Sequence, residues 1–154
     1  MLGFVTTKKQ ISMLLMVILL AMVLFAVILW QAGKAAAETD QLPMAETAAD
    51  RVDFLHRLGY TVDSSVPEQE KQIEIPHVFS EVYASYQALQ QKAGYDLLPF
   101  AGKTVTLYTL HLQDATRTDV YAHLMVYRGR LIGGDIMALS VSDGYLRPLF
   151  KENE

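Results

Sequence analysis

The apolar positions of this chain fall into two regimes. Residues 11–30, ISMLLMVILLAMVLFAVILW, form an apolar run without a single charge. At about 1.5 Å per residue a helix of that length reaches roughly 30 Å, the thickness of a bilayer core. Lys8 and Lys9 precede the run, and Trp30 stands at its far edge, where an indole prefers the interface. The run predicts a retained transmembrane signal-anchor at residues 11–30. The alternative is a signal peptide cleaved near Ala35-Ala36-Ala37, although a cleavable apolar core is usually only about 7–15 residues long. The two lysines before the run place residues 1–10 in the cytoplasm and the remainder outside.

Beyond the run the pattern is that of a folded domain. Residues 31–46 are small and polar, with no apolar stripe, and predict a linker. Thr47 and Asp50 have capping-box spacing. Ala48, Val52, Leu55 and Leu58 share a helical face, and Gly59 follows it as a helix stop. Residues 60–62 form a short extended piece, residues 63–68 a loop, and residues 71–75 a strand. Pro76 suits the first turn of a second helix, whose stripe is Phe79, Val82, Tyr86, Leu89 and Ala93, ending at Gly94.

Three β-like runs follow, at residues 103–112, 120–127 and 130–141. The last two are separated by Arg128-Gly129, the length of a tight hairpin turn. In the middle run Val120, Ala122, Leu124 and Val126 alternate with Tyr121, His123, Met125 and Tyr127, so the first set should face helices. The expected fold is α+β. It has one N-terminal membrane helix, then a domain at residues 47–150 with two helices on an antiparallel sheet of about four strands.

Gly133 and Gly134 interrupt the last run. Phosphate-binding glycines sit between a strand and a helix, whereas these are followed by more strand, with no lysine at P-loop spacing. They predict a β-bulge or a close backbone approach. Asp135, beside them, is a candidate binding residue because bulges occur next to functional sites.

Charge and composition narrow the function. Residues 35–154 hold seventeen acidic and ten basic side chains, a net of −7. That balance argues against nucleic acid and against an acidic membrane surface. The absence of cysteine excludes disulfides, thiol catalysis and cysteine-based metal sites. His56, His77, His111 and His123 show no metal-ligand spacing. There is no G-x-S-x-G around a serine, and no carboxylate pair of glycosidase type stands out. Nothing in the sequence asks for a cofactor or a metal. Tyrosine is the suggestive residue, joining apolar area to a polar tip. The face bearing Tyr121, His123 and Tyr127 is a candidate partner-docking surface, with Asp135 near it.

Three blocks carry a family resemblance: RVDFL with GYTV (residues 51–62), IPHVFSEVYASYQALQQKAGYDLLPFAGKTVTLYT (residues 75–109) and VYAHLMVYRGRLIGGDIMAL (residues 120–139). Over about residues 48–146 the chain resembles the bacterial domain-of-unknown-function family 4830. Gln87 stands where asparagine is more usual. The resemblance implies a short cytoplasmic start, one membrane helix, a small outer domain and a source among Gram-positive, clostridia-like bacteria. It brings no catalytic residue.

The leading expectation is a single-pass, membrane-anchored extracytoplasmic domain that binds an envelope protein, a peptide or a wall component. The alternative is a small envelope hydrolase or metal-dependent enzyme using His111, His123 and Asp135. A third reading is a small regulatory or inhibitory module, such as an envelope sensor.

Overall fold

The computed structural model describes residues 8–150, with side chains at Met13, at residues 15–30 and from residue 41 onward. Residues 1–7 of the expected cytoplasmic segment lie outside the described residues. The chain divides into two compact units, with the boundary after Asp40.

The first unit holds α1, Lys8–Asp40. Its described side chains are apolar and exposed all round, from Met13 to Trp30. Among the described residues no helix is long and apolar enough to cross a membrane. The expected span at residues 11–30 is therefore not supported by the described residues.

The second unit is α+β, with more strands than expected. Its α-helices are α2, Ala48–Arg57, and α3, Glu81–Lys92. The strands are β1 Thr61–Val62, β2 Gln69–Glu74, β3 Thr104–Gln113, β4 Val120–Tyr127, β5 Arg130–Ala138 and β6 Tyr145–Pro148. They form one six-stranded antiparallel sheet in the order β1-β3-β4-β5-β6, with β2 also paired to β3. The strand expected at residues 71–75 is β2, and the two additional strands are short: β1 has two residues and β6 four, so neither announces itself by period.

Local chemistry sets the helix ends. Thr47 Oγ1 accepts from the Asp50 amide at 3.1 Å, and Asp50 Oδ2 accepts from the Thr47 amide at 2.9 Å. This is a closed capping box. α3 starts later than Pro76 suggests. Ile75 is tied on both sides to the turn after Phe100, its amide to the Lys103 carbonyl and its carbonyl to the Gly102 amide. The chain there stays extended, and Ser80 caps α3 instead, accepting from the Tyr83 amide at 3.3 Å. The buried face also differs from the expected stripe. Val82 is 82% exposed, while Gln87 and Gln90 are buried.

The expected linker is also more ordered than its composition suggests. The α1 backbone runs to Asp40, and residues 41–46 belong to the second unit. The Pro43 carbonyl accepts from the Leu131 amide at 2.9 Å, Met44 bridges Arg130, and Ala45 is fully buried.

Side-chain alternation places α2 and α3 on opposite faces of the sheet. Val120, Ala122, Leu124 and Val126 join Phe54 and Leu55 of α2 in one core cluster. Met125 joins Ile75, Leu97 and Phe100 in the other, with Tyr83 and Tyr86 of α3 packed against it.

The hairpin at Arg128-Gly129 has φ of 51° and 76°. Two successive positive values are the mark of the turn type that matches strand twist. The register then slips between Met125 and Val126, with Met125 opposite Gly133 and Val126 opposite Leu131. Ile132 is the extra residue of a β-bulge. The glycines thus bend a sheet.

Candidate functional site

Three arrangements of polar side chains stand on this frame. The first grows from the bulge. Past it, register pairs Asp135 of β5 with His123 of β4, so both point toward α3. Asp135 is 3% exposed. Its Oδ1 lies 2.9 Å from His123 Nδ1, and its Oδ2 accepts from the Tyr86 hydroxyl of α3 at 2.6 Å. A buried carboxylate thus has a hydrogen-bonding partner on each oxygen, as burial demands. Burial, and then the Asp135 charge, push the Tyr86 hydroxyl well above the ordinary tyrosine range. His123 Nε2 makes no hydrogen bond to a described residue.

The second arrangement holds His111. Register puts His111 opposite Tyr121, with the rings 5.2 Å apart. His111 and His123 share a face as diagonal neighbours. His111 is nevertheless engaged elsewhere, with Nδ1 3.1 Å from Asp63 Oδ2 and Nε2 2.8 Å from the Thr118 carbonyl. The sequence trio of His111, His123 and Asp135 is therefore brought to one face but not to one point. Among the described residues no group of three or more histidines and carboxylates is placed to hold a metal ion.

The tyrosine surface also divides. Tyr121 is partly exposed beside His111. Tyr127 packs edge-on against Phe100, with centroids 5.6 Å apart, as part of the α3-side core.

The third arrangement is a cleft of about 450 Å³ between α2, β1, β3 and the loop at residues 63–68. Val52, Val62, Val66 and Leu110 give it apolar walls, and His56, Thr61, Ser64 and Gln113 a polar rim. Its outer wall is the loop. Asp63 starts that loop as a turn, with Oδ1 accepting from the Ser65 amide at 3.0 Å and from the Ser65 hydroxyl at 2.6 Å. The Ser65 bonds, with His111 nearby, hold the Asp63 carboxyl below its ordinary range. Arg51 of α2 fixes the other end, its Nε donating to Glu68 Oε2 at 3.0 Å. Arg51 is 3% exposed, donates also to the Ala45 and Glu46 carbonyls, and lies 3.5 Å over the Tyr108 ring.

Sequence reasoning passed over Arg51, Asp63 and the cleft. One signal was present: Arg51 stands four residues before Leu55, one turn back on the inward face of α2. A charge at such a position needs a buried partner. Asp63 carried none, since Asp in a loop is ordinary. No family profile, no curated protein and no solved structure matches the chain.

Proposed function

We propose that this protein is a single-pass membrane-anchored domain, held outside the cytoplasmic membrane, that binds an apolar side chain of an envelope protein or peptide in the cleft beside α2. The cleft is the observation that carries this reading. Its size falls in the range of pockets that hold ligands, and its apolar walls with a few rim polar groups are the usual composition of such sites. The anchor reading rests on the uncharged run at residues 11–30 and on the exposure of the described apolar side chains. A water-soluble helix would bury such a stripe.

The test uses the full chain in its membrane. A photo-crosslinking residue replaces His56, which is exposed on the cleft rim. The expected result is one reproducible adduct, lost when Val66→Glu puts a charge into the cleft and kept when Val82→Glu puts one on the far helix. An adduct indifferent to Val66→Glu would sink the cleft as the site. Digestion of the folded unit by protease added to intact cells tests the address, and full protection would overturn it.

A second reading rests on one specific observation. Asp135 holds His123 by Nδ1 and leaves Nε2 without a hydrogen bond to any described residue, which is how a general base is oriented. An acid–base activity that His123→Ala abolishes without lowering the melting temperature would favour it.

A further inference from the structure

The loop at residues 63–68 is both a wall of the cleft and a segment stapled at its two ends. The Arg51–Glu68 staple is an ion pair of a guanidinium with a carboxylate and involves no histidine. The staple at the other end is different. Asp63 donates its amide to the His111 carbonyl at 2.9 Å, and its carboxylate faces His111 Nδ1. The second ring nitrogen faces the Thr118 carbonyl at the end of the β3–β4 connection. Both partners of the ring are acceptors. A neutral imidazole has one N–H, so it satisfies one of them and turns a lone pair on the other; only the imidazolium donates to both.

The surrounding charges do not replace either bond. On the β3–β4 connection Arg117 is taken up by Asp119 and Asp143, and Asp114 by Thr116. From β4, Tyr121 offers its ring, and His123 on the next diagonal is bonded to Asp135. From the β1 side Asp63 is the facing carboxylate.

We propose that His111 is a proton-operated clasp on the cleft: charged, it pins Asp63 and closes the 63–68 wall; neutral, it lets the Asp63 end of that wall loosen. The proposal rests on the cleft being the binding site. The Thr118 carbonyl first, and then Asp63, move the His111 proton affinity above the ordinary histidine value, against the effect of burial. The folded value is thus raised. The clasp is fully made below about 6.5, the ordinary histidine pKa, and is lost as pH rises through the higher folded value. Asp63 stays ionised throughout that window, since its own carboxyl is shifted down.

The full chain in detergent micelles is titrated from slightly acid to slightly alkaline pH while the histidine ring and amide resonances are followed by NMR. The Ser65 and Val66 amides should move with the midpoint of the His111 ring, and that midpoint should lie above the ordinary value. The movement should vanish in His111→Gln and persist in His56→Gln, which removes the histidine on the cleft rim. Loop amides that ignore pH, or that follow His56, overturn the proposal. So does an identical titration in His111→Gln.

Access to the cleft is read separately, because the chain has no cysteine of its own. N-ethylmaleimide labelling of Val52→Cys, normalised to exposed Val82→Cys to remove thiol ionisation, should rise several-fold as His111 loses its proton. A Val52→Cys that stays unreactive at both ends, under a loop that still follows His111, removes the cleft while leaving the clasp. A reactive Val52→Cys whose normalised rate ignores pH removes the clasp's control and leaves the cleft.

Discussion

At the scale of single residues, the glycine pair shows how one position serves a bend and another a close approach. A β-carbon on Gly134 would sit 2.2 Å from the His123 carbonyl oxygen, which is backbone of the neighbouring strand and cannot swing away. On Gly133 it would sit 2.8 Å from Gln90 Oε1, a side-chain atom rather than backbone, although that oxygen accepts from the Gly134 amide at 2.8 Å. Gly134→Ala should therefore cost about 3 kcal/mol, and Gly133→Ala about 1 kcal/mol. Urea unfolding midpoints at constant m-value measure both, and equal costs would show that the sheet yields as easily as a side chain. That glycines here bend a strand was legible from their context. Which carbonyl they approach was not, because register decides it and a single slip of register moves every side chain to the other face.

Helices and strands differ in how openly the sequence declared them. α2 was legible because its cap, stripe and stop agree, and β4 because its alternation is strict. α3 misled. Its apolar residues suggest a stripe through Val82, yet its inward face presents Tyr83, Tyr86, Gln87 and Gln90. The glutamines are buried because they bond backbone. Gln87 Oε1 accepts from the Leu97 amide at 2.9 Å, and Gln90 Oε1 caps the open edge of β5 at Gly134. Apolar period cannot register a face that is held by amides. The consequence is an inverted expectation for mutants. Val82→Asn should change stability by less than about 0.5 kcal/mol, as at ordinary surface sites, whereas Gln87→Ala leaves the buried Leu97 amide unpaired and should cost about 2 kcal/mol. Thermal melts of the two variants decide it. A costlier Val82 would restore the apolar stripe.

For the whole molecule, the boundary between the units decides what must stay attached to what. Composition placed the end of a linker at residue 46, because small and polar residues rarely belong to a core. The fold places the boundary after Asp40. The reason is Arg51. A buried guanidinium needs acceptors, and Ala45 and Glu46 supply two carbonyls at 2.8 and 2.9 Å while Pro43 receives the Leu131 amide. Since the described core residues of the sheet unit all lie after Gln41, a chain beginning at Gln41 should fold cooperatively. A chain beginning at Thr47 loses both acceptors of Arg51, each such charged hydrogen bond contributing about 1.5–3 kcal/mol. Its melting temperature should fall by at least about 10 °C. The loss should also reach the cleft, because Arg51 is the residue that fixes Glu68, and a freed Arg51 no longer holds that end of the 63–68 wall. Melting curves of the two chains, with exchange of the Glu68 amide as the local readout, measure both effects. Equal stability would mean that water replaces the two carbonyls at no cost, and that residues 41–46 are a linker after all.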